Sequence, residues 1–508
     1  MLRRSFLLAA MILVGLLNVA CEQKPASSVR ETAPPVPRGD VPWLNPEDSS
    51  TWSGSEKPYF LFLHSGRSYW SHEMVRESFT ASEAATEIAR ITRPVWVDAD
   101  LRPDLVDRFA LGGLPSVALL TPELNWITGT TFIGQGDLAA LLRHIRILYD
   151  IPERSADLER ERARLLDRRP VVRASIVHDL SLQGLRVRLA DQMQRGKVRL
   201  SAESALFLLE QGGIETFQAW EESVRAGRWN GDGLLVTALL TPDSQVRDET
   251  TSLGINAGLL YAFARGATRT GNLGLRQTSL GLASAIVAAL FVPGQDVFVS
   301  GSTDFSRSDS SGSVIPIVGR PPVFDARSIT AFNALLVSGL CEVARLDSSS
   351  QIIDIARRTL DRLLSERVRE AGVVRTGGEC SVLQLEDAAH LIRACLDFGQ
   401  LSGEDHYVQA ARSLVEKTAR KLPNIEVVIR PDSDLALVYA DGDYGSGVGV
   451  FCQCLIRLCV LDKSRMYVEM AEALCREAVA SNSDRPNRLG AVGRALALMV
   501  ETQRTESD

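Results

Sequence analysis

The segment Tyr407-Val408-Gln409-Ala410-Ala411-Arg412-Ser413-Leu414 returns further on as Tyr467-Val468-Glu469-Met470-Ala471-Glu472-Ala473-Leu474 and is anticipated more faintly by Ile352-Ile353-Asp354-Ile355-Ala356. Each copy follows an apolar helical stretch and a short loop such as Leu401-Ser402-Gly403-Glu404-Asp405 or Leu461-Asp462-Lys463-Ser464-Arg465. A period of roughly 55 to 60 residues means stacked helical hairpins, because one hairpin cannot bury its own apolar face. An α/α solenoid or a closed toroid is therefore expected. Helical periodicity sets in beyond Ser155, with the charged amphipathic stretch Asp157 to Arg169, and runs to the C-terminus. Its main interruption, Ser300 to Ser313, is rich in serine and reads as a long surface loop.

The first part of the chain is patterned differently. Tyr59 to His64, Pro94 to Asp98 and Ser116 to Leu120 are short apolar runs fit for buried strands. They alternate with helical stretches at Ser68 to Arg90, Pro103 to Ala110 and Asp137 to Tyr149, which implies a small sheet with helical crossovers. With 508 residues, 45% of them hydrophobic, the chain can bury more than one core. The expected division is residues 1–21 as a signal, 22–50 as a Pro/Ser-rich tether, 51–150 as an α/β domain, 151–230 as a helical connecting region and 231–508 as the helical barrel.

Met1-Leu2-Arg3-Arg4 followed by the apolar stretch Phe6 to Leu17 has the charged start and short hydrophobic core of a secretory signal. Leu17-Asn18-Val19-Ala20-Cys21 resembles a bacterial lipoprotein signal, which implies acylation of Cys21 and a lipid bilayer as a partner; Asn18 stands where that pattern prefers an aliphatic residue. Arg3-Arg4-Ser5-Phe6-Leu7 also resembles a twin-arginine export motif with a very short charged region. The expected location is a membrane surface facing the periplasm or cell exterior. Gly281 to Val292, the nearest approach to a further spanning stretch, fits a buried helix. With Cys21 lipidated, Cys341, Cys380, Cys395, Cys452, Cys454, Cys459 and Cys475 remain, an odd number at spacings that match no common zinc pattern. Cys452 and Cys459 fall at helical spacing, where cysteine acts as a small buried hydrophobe. A net charge of -7, spread without long runs of one sign, offers no basic footprint for nucleic acid.

Ser68-Tyr69-Trp70-Ser71-His72-Glu73-Met74-Val75-Arg76-Glu77-Ser78-Phe79, then Val97-Asp98-Ala99-Asp100-Leu101-Arg102-Pro103-Asp104, Gly112-Gly113-Leu114-Pro115 and Leu120-Thr121-Pro122, follow one another in an order that resembles the spermatogenesis-associated protein 20 family. That resemblance implies a thioredoxin-like domain followed by an (α/α)6 barrel. The family's C-x-W-C-H-x-M stretch keeps Trp70, His72 and Met74 here, while Ser68 and Ser71 stand in place of both cysteines. Dithiol exchange needs a thiolate and a second thiol to resolve the mixed disulfide, so this site is expected to be redox-inactive, without a cofactor. Ser68 remains a good helix N-cap. Pro115 aligns with the family's cis-proline and, with Trp70 and Tyr69, outlines a groove for a peptide or protein partner.

The resemblance extends weakly into the helical part. Asn256-Ala257 is similar to a D-N-A motif, Asp325-Ala326-Arg327-Ser328-Ile329-Thr330-Ala331-Phe332-Asn333 to D-D-K-x-L-T-x-W-N, Leu385-Glu386-Asp387-Ala388 to L-D-D-Y, and Ser446-Gly447 to an S-G opening. Asn256, Asp325, Asn333, Asp387 and Ser446 are thus the expected barrel-mouth ligand residues. The family's H-F-E-K reads Asp248-Glu249-Thr250-Thr251 here. Glycoside cleavage requires two suitably separated carboxylates, and Glu249, Asp325, Asp387, Asp441 and Asp443 supply the residue type. The expected function is a non-catalytic, lipid-anchored binding or scaffolding protein, with no catalytic residue and no metal. The alternatives are a carbohydrate-active epimerase or glycosidase using the barrel mouth, and a peptide-binding chaperone-like module.

Overall fold

The computed structural model describes residues 38–53, 56–80, 83–111, 113–150, 181–195, 200–228, 246–248, 250–303, 305–308, 314–316, 323–378, 382–422, 435–482 and 485–505. The expectations for the signal, Cys21, the helix Asp157 to Arg169, Glu249 and Cys380 lie outside them.

The N-terminal unit runs β1 (Tyr59–His64), α1 (Tyr69–Met74), α2 (Glu83–Ile91), β2 (Arg93–Asp98), α3 (Pro103–Phe109), β3 (Ser116–Leu120), β4 (Trp126–Thr130) and α4 (Gln135–Asp150). Its sheet has the order β2-β1-β3-β4, with β1 and β2 parallel and the β1–β3 and β3–β4 pairs antiparallel. All six residues of β1 are buried because each face carries a core layer. Phe60 and Phe62 pack with Phe79, Ile88, Trp96 and Leu142 on one side, and Leu61 and Leu63 with Val97, Leu105 and Phe109 on the other. A strand covered on both faces reads as an unbroken apolar run.

Three details depart from the sequence-based expectation. The single helix expected at Ser68 to Arg90 is interrupted: α1 passes into a π-helical turn, Val75–Phe79, and α2 begins anew at Glu83. The edge strand β4 was not anticipated, since Gly129 and its threonines give it a weak apolar signal. The expected tether 22–50 contributes to this unit from residue 38: Leu44 bridges to Val95, and the Trp43 ring meets Phe79 at 5.1 Å and Trp96 at 5.2 Å. Averaged composition hid these two apolar anchors among prolines and charges.

The rest is a ring of helical hairpins. Among the described residues the inner helices are α6 (Ala202–Glu210), α8 (Leu253–Thr270), α10 (Thr330–Leu346), α12 (Leu385–Ser402), α14 (Gly447–Asp462) and α16 (Gly490–Thr505). Each packs on the next, and α16 returns to α6, so the ring closes. Outside lie α5 (Leu182–Arg195), α7 (Ile214–Arg228), α9 (Leu273–Leu290), α11 (Ser350–Arg367), α13 (Asp405–Ala419) and α15 (Arg465–Ser481). The repeated segments are the starts of α11, α13 and α15, where Tyr407 and Tyr467 are buried. This is an (α/α)6 barrel. It takes in α5 to α7, which the sequence reading assigns to a connecting region. Helix α9 is long and apolar enough by composition to span a membrane, yet it packs on α8 and α10 as an outer helix.

The inner helices converge at their N-terminal ends, where small residues permit close approach. A Cβ on Gly490 would lie 2.1 Å from the Ser204 backbone nitrogen, and one on Gly447 2.7 Å from that of Glu386. The serine-rich run expected as a surface loop instead contributes strands Gly301–Thr303 and Phe305–Ser308; the first pairs with Thr251–Ser252 and Val323–Asp325, the second with Val246–Asp248 and Val314–Pro316. Serine content says little about pairing when backbone groups make the hydrogen bonds.

Candidate functional site

The mouth formed by the inner-helix N-termini is covered by the α/β unit. The strand ends of β1 and β2 meet it, and the contact is built from ions. Arg327 donates to Asp98 Oδ2 at 2.9 Å, to Asp100 Oδ2 at 3.2 Å and to both oxygens of Asp325, at 2.9 and 2.7 Å. Arg67 donates to Asp100 Oδ1 at 2.5 Å, and its carbonyl accepts from Thr250 Oγ1 at 2.9 Å. Arg375 donates through Nε to the Asp100 carbonyl and through Nη1 to Glu386 Oε2 at 2.8 Å and Asp387 at 3.2 Å. Gln384 Nε2 reaches Asp104 Oδ1 at 3.2 Å. The V-D-A-D-L-R-P-D segment is thus the plug of the mouth. Burial pushes the Asp98 carboxyl up, with Arg327 opposing. Burial also acts on Asp100, but Arg67 and Arg327 hold it below its ordinary value.

The expected mouth residues do come to this end of the barrel, and each is committed within the protein. Asn256 donates to Ser252 O at 2.9 Å. Asn333 exchanges hydrogen bonds with the Phe298 backbone, 2.8 Å to its N–H and 2.9 Å to its carbonyl. Asp387 accepts from the Ala331 N–H at 2.9 Å, Asp325 belongs to Arg327, and Ser446 caps α14 by accepting from Gly449 N–H. Below them Tyr444 occupies the lumen against Phe332, ring centroids 5.5 Å apart, where Gly254 and Gly258 leave it room. Burial raises the Glu386 and Asp387 carboxyls, Arg375 opposing both.

Further down, charged groups cross-brace the inner ring. Glu203 of α6 accepts from Arg393 of α12 at 2.8 Å and Arg494 of α16 at 2.5 Å; these two cations outweigh burial and hold its carboxyl at about 2. Arg494 continues to Glu210 at 3.1 Å, Arg265 of α8 joins Glu210 to Glu342 of α10, and Arg457 of α14 pairs with Asp397 at 2.6 Å. His390 is buried beside Arg393, and burial lowers its imidazole to about 3. Sequence reasoning missed this set. Its signal is present on α12, where Glu386, His390, Arg393 and Asp397 form a polar stripe at helical spacing along an apolar helix. His64 was missed too: buried at the end of β1, it stacks on Phe62 and lies tilted against Trp96, neither ring nitrogen has a hydrogen-bond partner among the described residues, and burial lowers its imidazole to about 3.

At the serine pair, Ser68 caps α1 by accepting from Ser71 N–H at 3.3 Å, and its hydroxyl donates to Leu114 O at 3.3 Å. Ser71 is fully buried and accepts from Ser65 N–H at 3.3 Å. His72 Nε2 lies 2.8 Å from Gly66 O rather than on either serine hydroxyl. Pro115 follows a cis peptide bond. Trp70 is 40% exposed, its ring edge on Phe132 at 5.5 Å. Both serine hydroxyls thus bond backbone groups, and no cysteine stands beside them among the described residues.

Beside the plug, between α3 and the barrel rim, lies a cavity of about 630 Å³. It is lined by the apolar Val106, Leu114, Leu200, Trp220, Val224 and Leu259 and by the polar Ser201, Asp441, Asp443, Asn487 and Arg488. Asp441 accepts from Ser446 N–H at 2.9 Å and Ala491 N–H at 3.0 Å, tying two helix starts together. Burial, reinforced by the Glu203 charge, pushes its carboxyl up to about 6.

No protein family and no curated protein matches this chain. Solved structures match it over the barrel. A GH76 alpha-mannanase of Bacteroides thetaiotaomicron is 10% identical and covers 65% of this chain and 99% of its own, with a TM-score of 0.44. The cellobiose 2-epimerase of Spirochaeta thermophila is 12% identical, over 64% of this chain and 98% of its own, with a TM-score of 0.47. A D-mannose isomerase is 11% identical, over 57% and 73%, with a TM-score of 0.40.

The six described cysteines are all buried, and burial raises the thiols of Cys341, Cys395, Cys452 and Cys454.

Proposed function

We propose that this chain is an exported, membrane-tethered binding protein in which a degenerate thioredoxin-like domain serves as a fixed cap on an (α/α)6 barrel. The lipid anchor at Cys21 rests on the signal-like sequence before it. Membership of the spermatogenesis-associated protein 20 family rests on the ordered motifs and on their joint use: the V-D-A-D-L-R-P-D segment of one domain engages the D-A-R segment of the other. The observation that carries the binding reading is the plugged mouth. Asp325, Glu386 and Asp387, the carboxylates a barrel enzyme would turn toward a substrate, face arginines of the contact instead. Buried behind the contact and hydrogen-bonded to its guanidiniums, these carboxylates are kept from a substrate entering the mouth.

The second reading, a carbohydrate-active enzyme, draws on Asp441. A carboxyl held near 6 beside a cavity has the proton affinity of a general acid. One set of assays separates the two. The purified protein is incubated with insulin disulfides and with mannan, cellobiose and mannose. A binding protein turns over none of them. Turnover of a sugar that Asp441→Asn abolishes, with the melting curve unchanged, would transfer the assignment to the second reading; insulin reduction dependent on Ser68 would overturn redox inactivity.

A further inference from the structure

We propose that Cys452 and Cys475 close a disulfide that staples inner helix α14 to outer helix α15 as that hairpin folds. Its occurrence in the cell rests on the export reading above, because such bonds persist in oxidising compartments. The two helices are consecutive, joined through Lys463 and Ser464, and Cys475 lies 23 residues beyond Cys452. Cys452 Sγ donates to Ala471 O at 3.6 Å. Ala471 precedes Cys475 by one helical turn on the same face of α15, so the Cys452 sulfur lies against the turn that carries Cys475. The two thiols are hydrogen-bonded to each other. They need only draw together to the roughly 2.05 Å of a sulfur–sulfur bond. Cys454, two residues on, turns to another helix: its Sγ donates to Ala389 O of α12 at 3.7 Å. The geometry therefore distinguishes Cys452 from Cys454.

Both thiols are fully buried, and burial raises the Cys452 thiol well above its ordinary value. Exchange requires a thiolate, so in the finished core this pair is slow to oxidise and slow to be reduced. The bond is set earlier, while the hairpin is still open to solvent, since contacts this local form before the ring closes. The oxidant is a disulfide of the surroundings. One cysteine thiolate attacks it, giving a mixed disulfide and releasing one thiolate; the other cysteine thiolate attacks the protein sulfur of that intermediate and releases the second. The two protein thiols give up two electrons and two protons, and the oxidant takes them up as two thiols.

Full-length protein in detergent is unfolded in urea with reductant, desalted, and refolded at pH 8 either with oxidised and reduced glutathione or with reductant alone. Free thiols are then blocked with N-ethylmaleimide and the folded fraction is digested with trypsin. The expected result is a peptide pair linked through Cys475. Because one tryptic peptide carries both Cys452 and Cys454, the pair is expected to vanish in Cys452→Ser and to persist in Cys454→Ser. Fragment spectra of the wild-type pair assign the linked cysteine even where a variant fails to fold. The oxidised protein is expected to melt about 2–5 °C above the reduced one. No linked pair in refolded wild type, or a link from Cys475 to any other cysteine, overturns the proposal, and a link that leaves the melting midpoint unmoved overturns its role as a staple. Wild-type protein alkylated at cell lysis separates this inference from the export reading: a bond that forms on refolding but is absent from cells sets export aside and leaves the pair standing.

Discussion

Arg327 is the hub of the contact between cap and barrel, and Arg327→Met tests whether that contact holds the molecule together. Methionine keeps an apolar stem of similar reach and removes the charge. Asp100 then keeps Arg67 and, at its carbonyl, Arg375, while Asp98 loses its guanidinium partner and Asp325 its bidentate one at 2.7 to 2.9 Å. Removing one partner of a buried ion set costs about 3–5 kcal/mol, because the remaining charges stay desolvated. With an unfolding entropy near 2.1 cal/mol/K per residue, a cooperative unit of roughly 400 residues loses about 4–6 °C in Tm. The deficit also acquires a pH dependence. In the variant the Asp98 carboxyl, which burial already raises above its unfolded value of about 3.9, rises further as it loses Arg327, and the Asp100 carboxyl loses one of the cations that hold it down. A group raised in the folded state costs nothing below its unfolded pKa, and the cost grows as pH rises through the folded one. The loss relative to wild type is therefore small near pH 4 and full at pH 8. Urea denaturation followed by far-UV circular dichroism at pH 4.5, 6 and 8 measures it. A deficit under about 1 kcal/mol at pH 8, or one that does not change with pH, would refute the claim that these ions are buried and coupled.

Three further outcomes are expected. Glu203→Gln removes the carboxylate that Arg393 and Arg494 share, leaving Arg494 with Glu210, and destabilises by about 3–5 kcal/mol at neutral pH; in wild type the Glu203 contribution is present above about pH 4.5 and fades as pH falls toward 2, which an acid titration monitored by tryptophan fluorescence detects. Gly490→Ala forces a methyl into the Ser204 backbone and destabilises the ring instead of gaining the roughly 1 kcal/mol usual for Gly to Ala in a helix, as thermal melts reveal. Ser68→Ala removes the α1 cap and costs about 1 kcal/mol, whereas Ser68→Asp costs less, a comparison made by denaturant midpoints.

Much of the architecture was legible because it depends on periodicity. The repeated Tyr407 and Tyr467 segments mark outer helices, and the apolar runs at Tyr59, Pro94 and Ser116 mark three strands, since in both cases one pattern serves one buried surface. Strand β4 and the pairing of Gly301–Thr303 escaped for the converse reason: their stabilisation comes from backbone hydrogen bonds to distant partners, which side-chain patterns do not encode. The candidate site was half legible. Motif order located Asn256, Asp325, Asn333, Asp387 and Ser446 at one end of the barrel, but not what they would face. Arg375 lies in no quoted motif, and its partners Asp100 and Glu386 sit 275 and 11 residues away, so only the folded chain assembles the trio.

Ring closure has a consequence for how the molecule comes into being. Helix α6 is completed only by α16, through Glu203 and Arg494, 291 residues apart, and the cap's Asp98 meets Arg327 across 229. Neither pair can form until its later partner has been made, so Glu203 of α6 waits for α16 and Asp98 of the cap for the segment that carries Arg327. Contacts of such sequence separation form slowly. A chain lacking α16 therefore presents an open apolar seam beside α6 and leaves Glu203 with Arg393 but without Arg494, a state suited to proteolytic removal.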